Sequence, residues 1–237
     1  MLNKKIWLSS CFILTFLLNI TGVNAKINYS TLHNNHEIIA KYESGKKGYE
    51  AVSKDCYGGH SYGKWQISTK RSKKNLSTFD AFLRYSKMYS PDIYKKLIMA
   101  GGYEGAYNGT PLFVTTWKSL ACRQDFIKLY DDFILNTQII PVYIRLDKSN
   151  NIKLNTIASW SEKDEAMQAS INSAIIQHGI GGAYNIICNV IAKYDPKSKE
   201  EFIANIYEYR KIKYPKYKKR YTMEFNDLKN YYKINIL

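Results

Sequence analysis

Two hydroxyl–proline steps, Ser90-Pro91 and Thr110-Pro111, constrain the fold of this chain more than any other feature. The hydroxyl can cap the first free N–H groups of a helix, and proline at the first helical position loses nothing by lacking its own. Around these steps the apolar residues recur at helical spacing. A first helix is expected from about Leu32 to Tyr42. A second starts at Ser77 or Thr78 and carries Phe79, Phe82 and Leu83; a third runs from Pro91 to a stop at Gly101. Thr110 opens a region with Trp117, Leu120, Phe126 and Phe133, read as two helices ending before Pro141.

Residues 147–155 are polar and read as a loop. Ser161 to Asp164 fits a capping box for a helix running to about Gln177. Met167, Ile171, Ala174 and Ile175 fall on its inward face, and Ser170, Ser173 and Gln177 form a separate polar stripe. Gly179 to Gly182 breaks the chain before a helix over 183–194, and a last pair is expected over 199–213 and 223–232. Residues 45–63 are rich in Gly, Ser and Lys and read as loop and hairpin, with one small β-element near Ser61 to Ser68. The class is therefore mainly α. The chain has no internal repeat and no obvious linker.

Residues 1–25 have the make-up of an export signal rather than of a folded element. Lys4 and Lys5 precede an apolar run from Ile6 to Leu18, and Val23-Asn24-Ala25 is a small-residue cleavage site. The run is too short to span a bilayer, so no stable membrane insertion is expected. Residues 26–237 then form one domain in an exported, periplasmic or secreted product. The formal charge of +15 falls by two, to +13, once Lys4 and Lys5 are removed. So basic a protein is drawn to polyanions: peptidoglycan with its acidic stem peptides, anionic lipid or extracellular nucleic acid. Cys56, Cys122 and Cys188 remain after cleavage, and an odd count leaves any pairing open.

One pairing carries chemistry. Glu43-Ser44-Gly45 closes the first helix, and Gly58-Gly59-His60-Ser61-Tyr62-Gly63-Lys64-Trp65-Gln66-Ile67 follows shortly after. A carboxylate at a helix C-terminus faces the negative end of the dipole, and burial adds to the cost of its charge. Such a Glu can hold a proton near neutral pH and donate it to a glycosidic oxygen. The glycines allow close backbone approach to a sugar chain, and Gln66 offers a donor and an acceptor to an N-acetyl group.

Glu43-Ser44 followed by Tyr62-Gly63-Lys64-Trp65-Gln66-Ile67 resembles the two N-terminal motifs of the lysozyme superfamily. More narrowly, the chain resembles peptidoglycan-hydrolase domains of phage lysins and of some type VI secretion spike proteins. In those, Glu-Ser-Gly precedes Gly-Gly-x-Ser-Tyr-Gly-x-Tyr-Gln, and a later helix ends in Gln-His-Gly, matched here by Gln177-His178-Gly179. Weaker matches continue through residues 206–210 and Arg220-Tyr221. The resemblance implies a lysozyme-like fold with a small β-hairpin beside the cleft. It also implies cleavage of the β-1,4 bond between N-acetylmuramic acid and N-acetylglucosamine, with Glu43 as general acid. The family's second carboxylate shortly before the Gly-Gly pair is matched by Cys56, so that role passes to Asp55, one residue earlier, with Glu50 as the fallback. Tyr62, Gln66, Gln177 and His178 are carried over as substrate-binding residues. Peptidoglycan strands become the expected partner, with no nucleic acid, metal or cofactor. An exported wall-cutting enzyme raises the question of an inhibitor or immunity partner, which the sequence does not reveal.

Bland readings stand beside these. Glu43 could be a solvated helix-end residue, Asp55 the closure of an Asx turn, and Tyr62 and Gln66 packing residues of the hairpin. His33 and His36, three apart, lack a third ligand and read as surface histidines. Cys56 with His60 or His178 lacks the surroundings of a thiol nucleophile. The run from Arg210 to Arg220 holds seven basic residues interleaved with Tyr214 and Tyr217, and reads as a solvated face or a polyanion contact. Two other functions remain open: a lysozyme-like glycan-binding protein or toxin component that does not cut, and a glycosidase acting on chitin or chitosan. Without a second carboxylate, Glu43 alone would form an anhydro product, as lytic transglycosylases do.

Overall fold

Several helix starts are set by side chains that take up the free N–H groups of the first turn. The computed structural model describes residues 27–34, 36–55, 58–72 and 76–234, so the expected export signal and Cys56 lie outside the described residues. Helix α1 spans Glu37–Glu43. It begins later than the Leu32 start read from periodicity, because a separate 3-10 turn occupies Tyr29–Thr31. Helix α2, Thr78–Tyr89, is held by a reciprocal capping box between Ser77 and Asp80. Arg71 grips Asp80 with two bonds of 2.6 and 2.9 Å. Against its partial burial, these bonds draw the Asp80 carboxyl down to about 2. Helices α3 (Pro91–Met99), α4 (Gly102–Asn108) and α5 (Pro111–Ala121) follow, and α4 went unread in the sequence. Thr110 caps α5 through its side chain, whereas Ser90 makes no side-chain cap to α3.

Pro141 does not end its helix. Helix α6 (Gln124–Ile134) passes through a π-helical stretch, Leu135–Ile139, directly into α7 (Ile140–Asp147). In a regular helix the proline ring collides with the carbonyl four residues back, and the wider π turn changes that register. The polar stretch 147–155 holds the expected loop, shortened to 148–151 by the helices on either side. Asn151 caps α8 (Ile152–Glu162), and the Asn155 amide donates to the carbonyls of Leu146, Asp147 and Ser149 at the end of α7. Part of the stretch's polarity therefore serves capping, while Lys148, Asn150, Asn151 and Lys153 are exposed.

Helix α9 spans Glu165–Tyr194, and its N-cap is Asp164, which accepts from Met167 N at 2.9 Å. Ser161 instead belongs to the last turn of α8 and donates to Ile157 O, so the capping box expected there is corrected. The helical path breaks at Gly179, where φ is 69° and ψ 176°. Helices α10 (Lys199–Lys213) and α11 (Lys218–Tyr232) close the fold, joined by a 3-10 turn at Pro215–Tyr217. Helix α9 packs on α7, α8, α10 and α11, and α11 also packs on α1.

The fold is mainly α with one small sheet. Strands β1 (Val52–Lys54), β2 (His60–Tyr62) and β3 (Ile67–Ser68) run antiparallel in the order β1-β2-β3. Val52 pairs with Tyr62, and Tyr62 with Ile67. The expected hairpin is thus the outer half of a three-stranded sheet. Tyr62 anchors it to the aromatic core, its ring centroid 5.0 Å from that of Trp117 and 5.4 Å from those of Phe79 and Phe113. A fully buried aromatic of this size contributes about 2–3 kcal/mol, enough to fix a sheet of such short strands. Among the described residues no helix is long and apolar enough to cross a membrane.

Candidate active site

A cleft of about 470 Å³ lies where the sheet, α1, the π segment, the kink of α9 and the start of α11 meet. Glu43 and Asp55 both line it, as do Gln66 and Gln177. Glu43 is the last residue of α1 and its side chain is only 11% exposed. Burial pushes its carboxyl above the ordinary carboxylate range. Arg220, bonded to Oε1, opposes that, the neighbouring Glu224 reinforces it, and Arg210 opposes it more weakly. The net direction is upward, because the carboxyl is largely desolvated and the Arg220 cation in contact with it is shared with a second carboxylate.

Asp55 follows β1 and enters the loop that leads to Gly58 and Gly59. Ser61 Oγ donates to both of its oxygens, at 3.0 and 3.2 Å, and Ser68 Oγ to one, at 3.3 Å. The two hydroxyls thus orient the carboxylate. Asp55 also closes a turn, since Gly58 N donates to its carbonyl and its own N–H donates to Gly59 O. These turn bonds run through main-chain groups and leave the side chain on the cleft wall.

Gln66 lies at the end of the β2–β3 turn with φ of 50°, an unusual backbone for a residue with a side chain. Its Nε2 donates to Gly63 O at 2.9 Å and its Oε1 accepts from Ser53 Oγ. Each end keeps one unused donor or acceptor position, so the amide can still meet a ligand while held rigid. Gln177 accepts from Arg210 at 2.7 Å and from Tyr221 Oη at 2.8 Å.

Four expectations are corrected by placement. Tyr62 does not face the cleft: its ring is fully buried and its hydroxyl donates to Ala106 O at 2.7 Å. His178 is absent from the cleft wall. It stacks on Tyr214 with centroids 4.4 Å apart and lies 3.4 Å from Tyr221 Oη; burial, with Arg210 and Arg220 nearby, draws it down to about 4, so it is neutral near pH 7. The fallback carboxylate Glu50 is exposed outside the cleft and accepts from Cys122 Sγ. The close approach at the glycine pair is to protein: a Cβ at Gly59 would lie 2.6 Å from Thr69 Oγ1 and 3.1 Å from the Tyr107 ring.

The remaining candidates are simply located. His36 is buried rather than at the surface, and its ring lies 4.6 Å from that of His33. Among the described residues no group of three His, Cys, Asp or Glu side chains could hold a metal ion. His60 Nδ1 lies 2.9 Å from Tyr107 O. Cys122 and Cys188 are free thiols.

Sequence reasoning missed what stands behind Glu43. Arg210 and Glu224, each fully buried, form an ion pair at 3.8 Å, and Arg220 Nε lies 3.4 Å from Glu224. Ser173 and Tyr207 both donate to Glu224 Oε1. The polar stripe on α9 is therefore an inward face: Ser173 and Gln177 receive the Arg210 guanidinium. Arg220 and Glu224 are four residues apart on a helix, a visible signal, but that spacing reads first as a surface pair.

A model of the type VI secretion system spike protein VgrG3-like, C-terminal family matches residues 36–233 of the chain. That span holds every residue of the cleft described above. No curated protein matches the chain.

Proposed function

Since this chain belongs to the type VI secretion system spike protein VgrG3-like, C-terminal family, we propose that it is an exported glycosidase acting on peptidoglycan strands. Residues 1–25 direct export on this reading. The bond cut is the β-1,4 link between N-acetylmuramic acid and N-acetylglucosamine. One observation carries the proposal: Glu43 and Asp55, from separate elements, line a single cleft, where Glu43 is buried against Arg220 and Asp55 is held by the hydroxyls of Ser61 and Ser68. Two carboxyl groups in unlike surroundings can divide the acid and base roles.

Glu43 protonates the leaving oxygen as the bond opens toward an oxocarbenium-like state. Asp55, oriented by Ser61 and Ser68, takes a proton from water for attack on the opposite face. Gln66 and Gln177 offer amide groups to N-acetyl and hydroxyl substituents, while the half-buried Ile176 and the exposed Tyr217 supply apolar surface for sugar faces. Released outside the cell, such an enzyme calls for an inhibitor that protects the producer's own wall.

The contact of Arg220 with Glu43 favours a second reading, in which a permanently ionised Glu43 serves a protein that holds glycan without cutting it. Mass spectrometry of purified peptidoglycan after incubation with the protein separates the two. Muramic acid at new reducing ends is the expected product. Anhydromuramic acid would move the chemistry to transglycosylation by Glu43 alone. Strands that co-sediment with the protein yet stay intact would establish the binder, and release from chitin but not peptidoglycan would replace the substrate.

A further inference from the structure

Glu224 is a buried carboxylate with no part in the chemistry above, yet it lies one guanidinium away from the candidate acid. Arg220 reaches Glu43 through one terminal nitrogen and Glu224 through Nε, so a single planar cation spans both carboxyl groups. Glu224 is itself fixed by Ser173, Tyr207 and Arg210, from α9 and α10, while Glu43 comes from α1. Helix α1 thus meets the Arg220 cation directly, and α9 and α10 reach it through Glu224; its side chain is 22% exposed and lines the cleft.

We propose that Arg220 and Glu224 are positioning residues for Glu43, with Glu224 drawing on the shared guanidinium and so setting how firmly it holds the Glu43 carboxyl. The proposal rests on the glycosidase reading only in calling Glu43 the acid. A planar guanidinium holds its donors in fixed directions, so it can serve two carboxylates at once with a set geometry that a rotating ammonium does not impose. If Glu224 lost its charge, Arg220 would belong to Glu43 alone and hold it ionised. If Arg220 were removed, Glu43 would keep its proton to higher pH.

The other charged and titratable groups around Glu43 are accounted for. Arg210 is committed to Glu224, Ser173 and Gln177. Tyr221 donates to Gln177, and His178 lies beside Tyr221. On α11, Asp227 is held by Lys41 and Tyr42. Lys46 and Lys47, just past α1, are exposed, and Asp55 stands on the cleft wall.

The experiment follows the Glu43 carboxyl directly, by carbon NMR titration of the full chain. The signal is assigned by its loss in Glu43→Gln, and the basic limb of the wall-clearing pH profile is recorded in parallel. Glu224→Gln is expected to lower the Glu43 midpoint and Arg220→Gln to raise it, each by about one pH unit. Opposite shifts are not produced by general loosening of the fold. Should Glu224→Gln fail to fold, Arg220→Gln decides alone, with a raised midpoint expected. An unmoved midpoint, or shifts of the same sign, overturns the proposal. If the opposite shifts occur in a protein that cuts no wall, the positioning pair stands and the glycosidase reading falls.

Discussion

Gly63 is pressed against Tyr130 so closely that a Cβ there would lie 2.7 Å from both Cζ and Oη of the tyrosine. The Tyr130 hydroxyl fills the β2–β3 turn, donating to Tyr62 O at 3.0 Å and accepting from Trp65 N at 3.1 Å. Gly63 has φ of 78°, where a side chain is strained even in open space. The turn that carries Gln66 is therefore clamped to α6 by one hydroxyl and one missing methyl. Gly63→Ala is expected to cost about 2–4 kcal/mol. Urea denaturation measures it, and a cost within experimental error of zero would mean the turn is not held this way.

Glu43→Gln is expected to lower wall cleavage by about 10²–10⁴-fold without loss of fold. The pH dependence of stability has a definite sign. Burial raises the Glu43 carboxyl, so the folded protein holds that proton more tightly than the unfolded chain. The resulting stabilisation is complete below the ordinary carboxylate range and is lost as pH rises through the folded-state value. The amide variant mimics the neutral acid and keeps it throughout. Its Tm advantage over the wild type should therefore grow as pH rises above the ordinary carboxylate range; a constant difference would contradict a raised Glu43.

Asp55→Asn keeps the turn contacts and removes the base. Cleavage should fall about 10²–10⁴-fold while strand binding is retained. Co-sedimentation with intact peptidoglycan, set beside product release, measures the two separately. Unchanged hydrolysis in this variant would take the base role away from Asp55.

Tyr62→Phe tests the corrected placement of that ring. It removes one buried bond to Ala106 O and should lower stability by about 1 kcal/mol, with KM for wall fragments unchanged. A rise in KM would mean that the hydroxyl reaches the substrate.

Lys213, Lys216, Lys218 and Lys219 are exposed on the stretch containing Tyr217, which lines the cleft. Replacing the four with Gln should weaken association with acidic wall fragments and flatten its dependence on salt, with kcat on short neutral oligomers unchanged. Equal salt dependence in both proteins would place the wall contact elsewhere.

Helix starts at Ser77 and Thr110, the stop at Gly101 and the break at Gly179 could be read from the chain because each is decided within a few residues. The same locality explains the misreadings. Pro141 looks like a stop until a π turn absorbs it, and Asn155 looks like loop until it caps the end of α7. The pairing of Glu43 with the Gln66 hairpin was legible because both motifs lie within one short stretch. Tyr62 was misassigned because local sequence does not say which face of a strand meets the core.

A mainly helical chain, the carboxyl at the end of α1 and the turn that presents Gln66 all follow from the order of residues. That Glu43 shares Arg220, 177 residues away, with a buried Glu224 follows from the packing of α1 against α11. Caps and periodicity are local free energies that a short window expresses. The charge state of a buried carboxyl depends on desolvation and on which cations the whole fold brings near, and no window of sequence contains that.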